Sequence, residues 1–201
     1  MSTSIPRPEF PRPDFERQEW LNLNGEWDFE FDDNNIGETE GWYKAGEIDF
    51  SRKITVPFCY QSKMSGINDK SLHEIMWYRR TFNIPENFKN KRILLNFGAV
   101  DYHARVWING NFVGEHKGGY VQFKFDITKY VKNTDNLIVV RVEDRYDAVQ
   151  PRGKQYWKEK PDRCWYTATS GIWQTVWLEA VGEVYIERIR LTPDIDNRCI
   201  K

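Results

Sequence analysis

Cysteine is scarce in this chain: Cys59, Cys164 and Cys199 are the three among 201 residues. No Cys-x-x-Cys pair or Cys/His cluster accompanies them, so the sequence offers neither a zinc site nor a disulfide framework. Scattered thiols in odd number suit a reducing compartment, and a cytoplasmic location is expected. Long apolar runs are missing too. The first 20 residues carry Pro, Arg, Asp and Glu, which gives no signal peptide and no membrane-spanning helix. Neither sign of charge dominates: 29 Lys and Arg stand against 30 Asp and Glu. That balance argues against nucleic acid and against an anionic membrane as partners. No useful length of sequence carries a helical period, and no internal repeat is visible. His73, His103 and His116 lie in no nucleophile motif, so Ser/His/Asp catalysis finds no support.

Aromatics are abundant: 9 Trp, 10 Tyr and 12 Phe. Such side chains favour strands and fill the cores of β-sandwiches. Their faces also stack on the C–H faces of sugar rings, which permits sugar binding without establishing it. Alternation supplies the strands. Trp27, Phe29 and Phe31 alternate with Asp28 and Glu30, and Ala104, Val106 and Ile108 alternate with Arg105 and Trp107. Asn109-Gly110 then reads as a hairpin turn, and Gly114, Gly118 and Gly119 as bends or close backbone contacts. Glu26, Asp28 and Glu30 read as a solvated strand face. Residues 32–46 and 62–75 read as polar loops, and 144–169 as an irregular one. A loop of that last length inside a compact domain is usually functional. Pro6, Pro8, Pro11 and Pro13 make residues 1–16 an extended arm. Many short strands separated by Gly, Pro and Asn predict an all-β, antiparallel sandwich.

The order of the motifs resembles one family. Leu23-Asn24-Gly25-Glu26-Trp27 is similar to its opening strand, Val56-Pro57 with Tyr60-Gln61 to its "VP-x-x-x-Q" segment, and Trp77-Tyr78-Arg79-Arg80-Thr81-Phe82 to the strand after its first long loop. The stretch from Ala104 to Thr128, then Asn136-Leu137-Ile138-Val139-Val140-Arg141-Val142, and finally Ser170-Gly171-Ile172-Trp173-Gln174 continue the match. Together they resemble the N-terminal sugar-binding domain of glycoside hydrolase family 2, the β-galactosidase and β-glucuronidase type. The resemblance implies a jelly-roll sandwich of galactose-binding-like type over residues 17–182. It also implies that residues 183–201 begin an immunoglobulin-like domain, with Val184 to Leu191 as its first strand.

For function, the resemblance implies a domain that braces a downstream catalytic (β/α)₈ barrel of the same polypeptide and shapes its active-site mouth. The substrate would be a β-galactoside or β-glucuronide-like carbohydrate. Retaining glycosidases use two carboxylates roughly 5 Å apart, which the family places in the barrel, so no catalytic residue is expected in this chain and none of its turnover. No metal site or cofactor is expected, apart from a sodium ion in the parent enzyme. Family members contact sugar through an Asn in the first long loop and an Asp before the Ser-Gly motif, the latter also touching that sodium. Here those regions hold Asn68, Asp69 and Asp162, with Ala168 where an Arg is often found. Asn68 and Asp69 equally read as turn residues. Arg152 and Trp157, in Gln150-Pro151-Arg152-Gly153-Lys154-Gln155-Tyr156-Trp157, combine donors with stacking faces. They suit sugar contact or docking against a barrel. A stand-alone carbohydrate-binding module and a non-catalytic structural interaction domain are the other readings of the chain.

Overall fold

A computed structural model describes residues 4–46 and 48–201. The first three residues of the arm therefore lie outside the described residues. Fourteen strands follow in order: β1 (Trp20–Asn22), β2 (Gly25–Phe31), β3 (Arg52–Val56), β4 (Ile75–Phe82), β5 (Arg92–Phe97), β6 (Val100–Asp101), β7 (His103–Ile108), β8 (Asn111–Lys117), β9 (Phe123–Asp126), β10 (Asn136–Glu143), β11 (Gly171–Ile172), β12 (Val176–Val181), β13 (Pro193–Asp194) and β14 (Cys199–Ile200). Two antiparallel sheets face each other. One has the order β3-β2-β4-β10-β7-β8 and the other β1-β12-β5-β9. This is the all-β jelly-roll sandwich that the alternation and the resemblance imply.

Period-two patterning places the core. Trp27, Phe29, Val56, Tyr78, Val106 and Val140 of the larger sheet meet Leu95, Phe97, Val176 and Leu178 of the smaller one, all nearly inaccessible to water. Each such side chain contributes about 1.5–3 kcal/mol relative to exposure. The central hairpin turns at Asn109 and Gly110, whose φ angles of 51° and 78° give the positive values of a two-residue turn. At Gly114 a Cβ would stand 2.5 Å from the ring of Phe125, so only glycine lets the two sheets approach there.

The outer faces are covered as well. Residues 32–50 carry a second apolar cluster, in which Trp42 and Phe50 pack on Trp77, Trp107 and Val139 across the back of the larger sheet. Asp32 anchors this segment by accepting hydrogen bonds from the backbone N–H of Ile36 (2.8 Å) and Gly37 (2.9 Å) and from the Trp77 indole (3.0 Å). The sequence marks the segment as polar because its apolar residues that reach the sheet, Trp42, Tyr43, Ile48 and Phe50, are scattered among polar ones without a strand or helix period. On the smaller sheet the arm plays the same part. Phe10 packs edge-on to Trp20 and Trp177, and Arg17 Nε donates to the buried Glu179 at 2.7 Å. Asn22 and Asn24 donate to the carbonyls of Arg7 and Pro6, holding the arm down.

Val184 to Leu191, expected as a strand, forms none: it has no strand partner among the described residues, and a two-stranded ribbon of β13 and β14 follows it. An extended segment needs a neighbouring edge to become a ladder, and this one contacts the sandwich through side chains such as Glu187, which pairs with Lys124 at 2.9 Å.

Candidate functional site

The strand ends at one edge of the sandwich carry the long 144–170 connection, and a buried polar network fixes it. Asp144, fully inaccessible at the end of β10, receives Arg152 Nη2 at 2.9 Å on one oxygen and the Ser170 hydroxyl at 2.5 Å on the other. Gln150 also donates to Asp144, and Arg152 Nε donates to the carbonyl of Asp147. Ser170 in turn exchanges hydrogen bonds with the Gln61 side chain, its N–H donating at 3.2 Å. The Tyr146 hydroxyl bridges Ser170 and Tyr60, at 3.1 and 2.7 Å. The Val-Pro-x-x-Tyr-Gln segment and the Ser-Gly motif, 109 positions apart, thus meet at one buried carboxylate. Burial raises the Tyr60 phenol well above its ordinary range and pushes the Tyr146 phenol up as well, so both keep their hydroxyl protons.

A second carboxylate lies beside the first. Asp101 accepts from Gln155 Nε2 at 2.7 Å, and the Gln155 carbonyl accepts from the N–H of Thr169. Gly119 leaves the room this needs, since a Cβ there would stand 2.5 Å from Asp101 Oδ1. Burial, with the charge of Asp144 adding to it, pushes the Asp101 carboxyl up to about 7; the Gln155 bond and Arg152 pull the other way. Arg152 keeps one further nitrogen, Nη1, buried without a partner among the described residues.

The residues that the sequence singles out fall in different surroundings. Arg152 is 7 % exposed and holds the loop from within. Trp157 is half-buried and packs edge-on to Tyr156 and Trp165, which stack on each other. Asn68 is exposed with a φ of 55°, and Asp69 accepts the N–H of Ser71 at 2.8 Å; both sit as turn residues. Asp162 is exposed, its carbonyl closing a turn to Trp165 and its carboxylate 3.8 Å from Arg163 Nε. No hydrogen bond or ion pair joins Asn68, Asp69 or Asp162 to Arg152 or Trp157 among the described residues. No group of three or more His, Cys, Asp or Glu that could hold a metal occurs among the described residues. Sequence reasoning met Gln155 and Ser170 only as members of motifs and passed over Asp101. The glycine pair at 118–119 was the available signal, since one of these glycines exists to admit Asp101.

Fold and motif order converge on one class. Residues 20–181 match the family model described as "Glycosyl hydrolases family 2, sugar binding domain", and the chain belongs to that family. It is 32% identical over 183 residues to a β-galactosidase of Thermoanaerobacter pseudethanolicus, covering 88% of this chain and 22% of that protein. It is 28% identical to a β-glucuronidase of Paenibacillus borealis, with coverage of 94% and 33%. Among solved structures, a β-glucuronidase of an uncultured Clostridium sp. superposes with a TM-score of 0.69 at 28% identity, over 93% of this chain and 33% of that one. The chain thus spans between about a fifth and a third of the length of these relatives.

Proposed function

We propose that this domain serves a retaining β-glycosidase of the β-galactosidase or β-glucuronidase type, bracing a catalytic barrel on the same polypeptide and forming part of its active-site mouth. The observation that carries the reading is the pinned 144–170 connection. It has almost no regular structure, yet the Asp144–Arg152–Ser170 network locks it to the sandwich, as a rigid rim requires. Its outer side presents the half-buried Trp157 and Trp165, packed around the buried Tyr156, and such rings serve a sugar or a neighbouring domain equally well. Glu26, Asp28 and Glu30 of β2 pair with Lys53, Arg79 and Arg52. In this reading the catalytic carboxylate pair belongs to the barrel and lies outside this chain.

The test uses aryl β-galactoside and aryl β-glucuronide. The 201-residue chain is expected to hydrolyse neither, and the native gene product of its source cells to hydrolyse one with retention at the anomeric carbon. Turnover by the chain alone, or none by the native product, overturns the reading.

A further inference from the structure

A groove of about 590 Å³ runs between the N-terminal arm and the smaller sheet, beside the rim rather than on it. Its walls are fixed. Arg7 and Glu9 come from the arm, which Asn22 and Asn24 hold through backbone carbonyls, and Asn24 is itself bonded to Thr175 and to the N–H of Val176. Opposite stand two aromatic side chains that are already oriented. The Tyr120 hydroxyl donates to the carbonyl of Arg152 at 2.9 Å, the Trp173 indole donates to the carbonyl of Gly119 at 2.8 Å, and the two rings meet edge-on at 6.1 Å.

Between these walls lie Gln122 and Gln174, exposed, with side-chain amides that make no hydrogen bond among the described residues. The floor is Gly98. A Cβ there would stand 2.8 Å from the Gln174 Cβ and 3.0 Å from its carbonyl oxygen, so the missing side chain is what seats Gln174 in the groove.

We propose that this groove binds a single neutral hexose unit. Its volume lies within the roughly 300–1,000 Å³ of small-molecule sites. Two fixed aromatics suit the C–H faces of a pyranose. Two free amides supply both donors and acceptors for neighbouring hydroxyls. The charges of Arg7 and Glu9, 3.8 Å apart, cancel, so the lining offers a sugar carboxylate no unpaired cation. The inference rests on the sugar-binding reading above and names a place for the sugar that is separate from the rim.

¹H–¹⁵N spectra of the 201-residue chain, titrated with methyl β-D-galactopyranoside and with methyl β-D-glucopyranosiduronate, test it. Saturable shifts of the Trp173 indole and the Gln122 and Gln174 amides are expected with the galactoside, at a Kd of about 1–10 mM. Gln174→Ala, on an exposed position and with the dispersed spectrum as a check of folding, should weaken binding about fivefold, the loss of one hydrogen bond. Saturation at Trp157 and Trp165 with a silent groove overturns this site and leaves the sugar-binding reading standing. Tighter binding of the uronate overturns the neutral class. No saturable shift up to about 100 mM overturns the site, while the hydrolysis assay decides the enzyme reading separately.

Discussion

Asp101 holds the least comfortable charge in the domain. It shares a buried pocket with Asp144, and Arg152 is bonded to Asp144 alone of the two. The Asp101 carboxyl titrates near 7 instead of its ordinary 3.8, first because it is buried and then because Asp144 is close. Between those two values the native chain keeps a proton that the unfolded chain has lost. Stability therefore falls as pH rises from about 4 to 7 and levels off above. Asp101→Asn keeps an oxygen for Gln155 and removes the charge. It should be more stable than the parent at pH 8 by about 2–4 kcal/mol, the size of a shift of this order, with the gap closing near pH 4. Urea unfolding across that range measures it; a less stable variant at pH 8 would mean that Arg152 requires both carboxylates. Arg152 shows how a residue that stands out in the sequence can take a place in the fold that the sequence does not reveal. Its type and its turn were visible in the sequence, but its partner sits eight residues back at the end of a strand, where Glu143 and Asp144 look alike until the fold decides which one points inward.

Among the elements, the segment from 32 to 50 contributes most for its modest appearance. Its anchor is one carboxylate serving three N–H groups, and each buried donor left unpaired costs about 1–3 kcal/mol. Asp32→Ala should therefore lower unfolding free energy by about 2–4 kcal/mol, read in urea, with a red shift of tryptophan emission as Trp42 and Trp77 gain water. An unchanged midpoint would show that the Trp42 and Phe50 contacts hold the segment unaided. Here the limits of sequence reading have a plain physical origin. The hairpin at Asn109-Gly110 was legible because its information is local: two residues that accept positive φ between alternating strands. The second apolar cluster was not, since Trp42 gains its meaning from Trp77 and Trp107, which lie 35 and 65 positions away. Likewise the extra strand expected over Val184 to Leu191 finds no edge to join among the described residues. The rim divides the same way. The irregularity of the 144–170 connection was visible in its Pro, Gly and polar residues, while the meeting of Gln61, Asp144 and Ser170 could not be read from spacing.

For the whole molecule, residues 183–201 add few contacts to the sandwich. Beyond Gly182 the links back to the sandwich include the Arg17 bond to the Ile186 carbonyl and the exposed Lys124–Glu187 pair. Exposed pairs of this kind contribute about 0–1 kcal/mol. A chain ending at Gly182 is therefore expected to melt within about 4 °C of the 201-residue chain, the equivalent of roughly 1 kcal/mol at this size. A larger drop in a calorimetric scan would make residues 183–201 part of the sandwich rather than an appendage.

The pairing of β1 with β12 sets an order of events during synthesis. All six strands of the larger sheet lie between residues 25 and 143, so that sheet is complete in sequence while the ribosome is still adding the rim. The smaller sheet is different: β12 is its second strand, lying between β1 and β5, and it is the last of the sandwich strands to be made. Until about residue 181 has left the exit tunnel, β1 has no neighbour and the inner face of the finished sheet has half its cover. The nascent domain must hold Trp27, Phe29 and Tyr78 open to water, or to a chaperone, for the time taken to translate everything from the end of β10 to the end of β12. The longer that interval lasts, the longer this apolar face stays open to wrong partners.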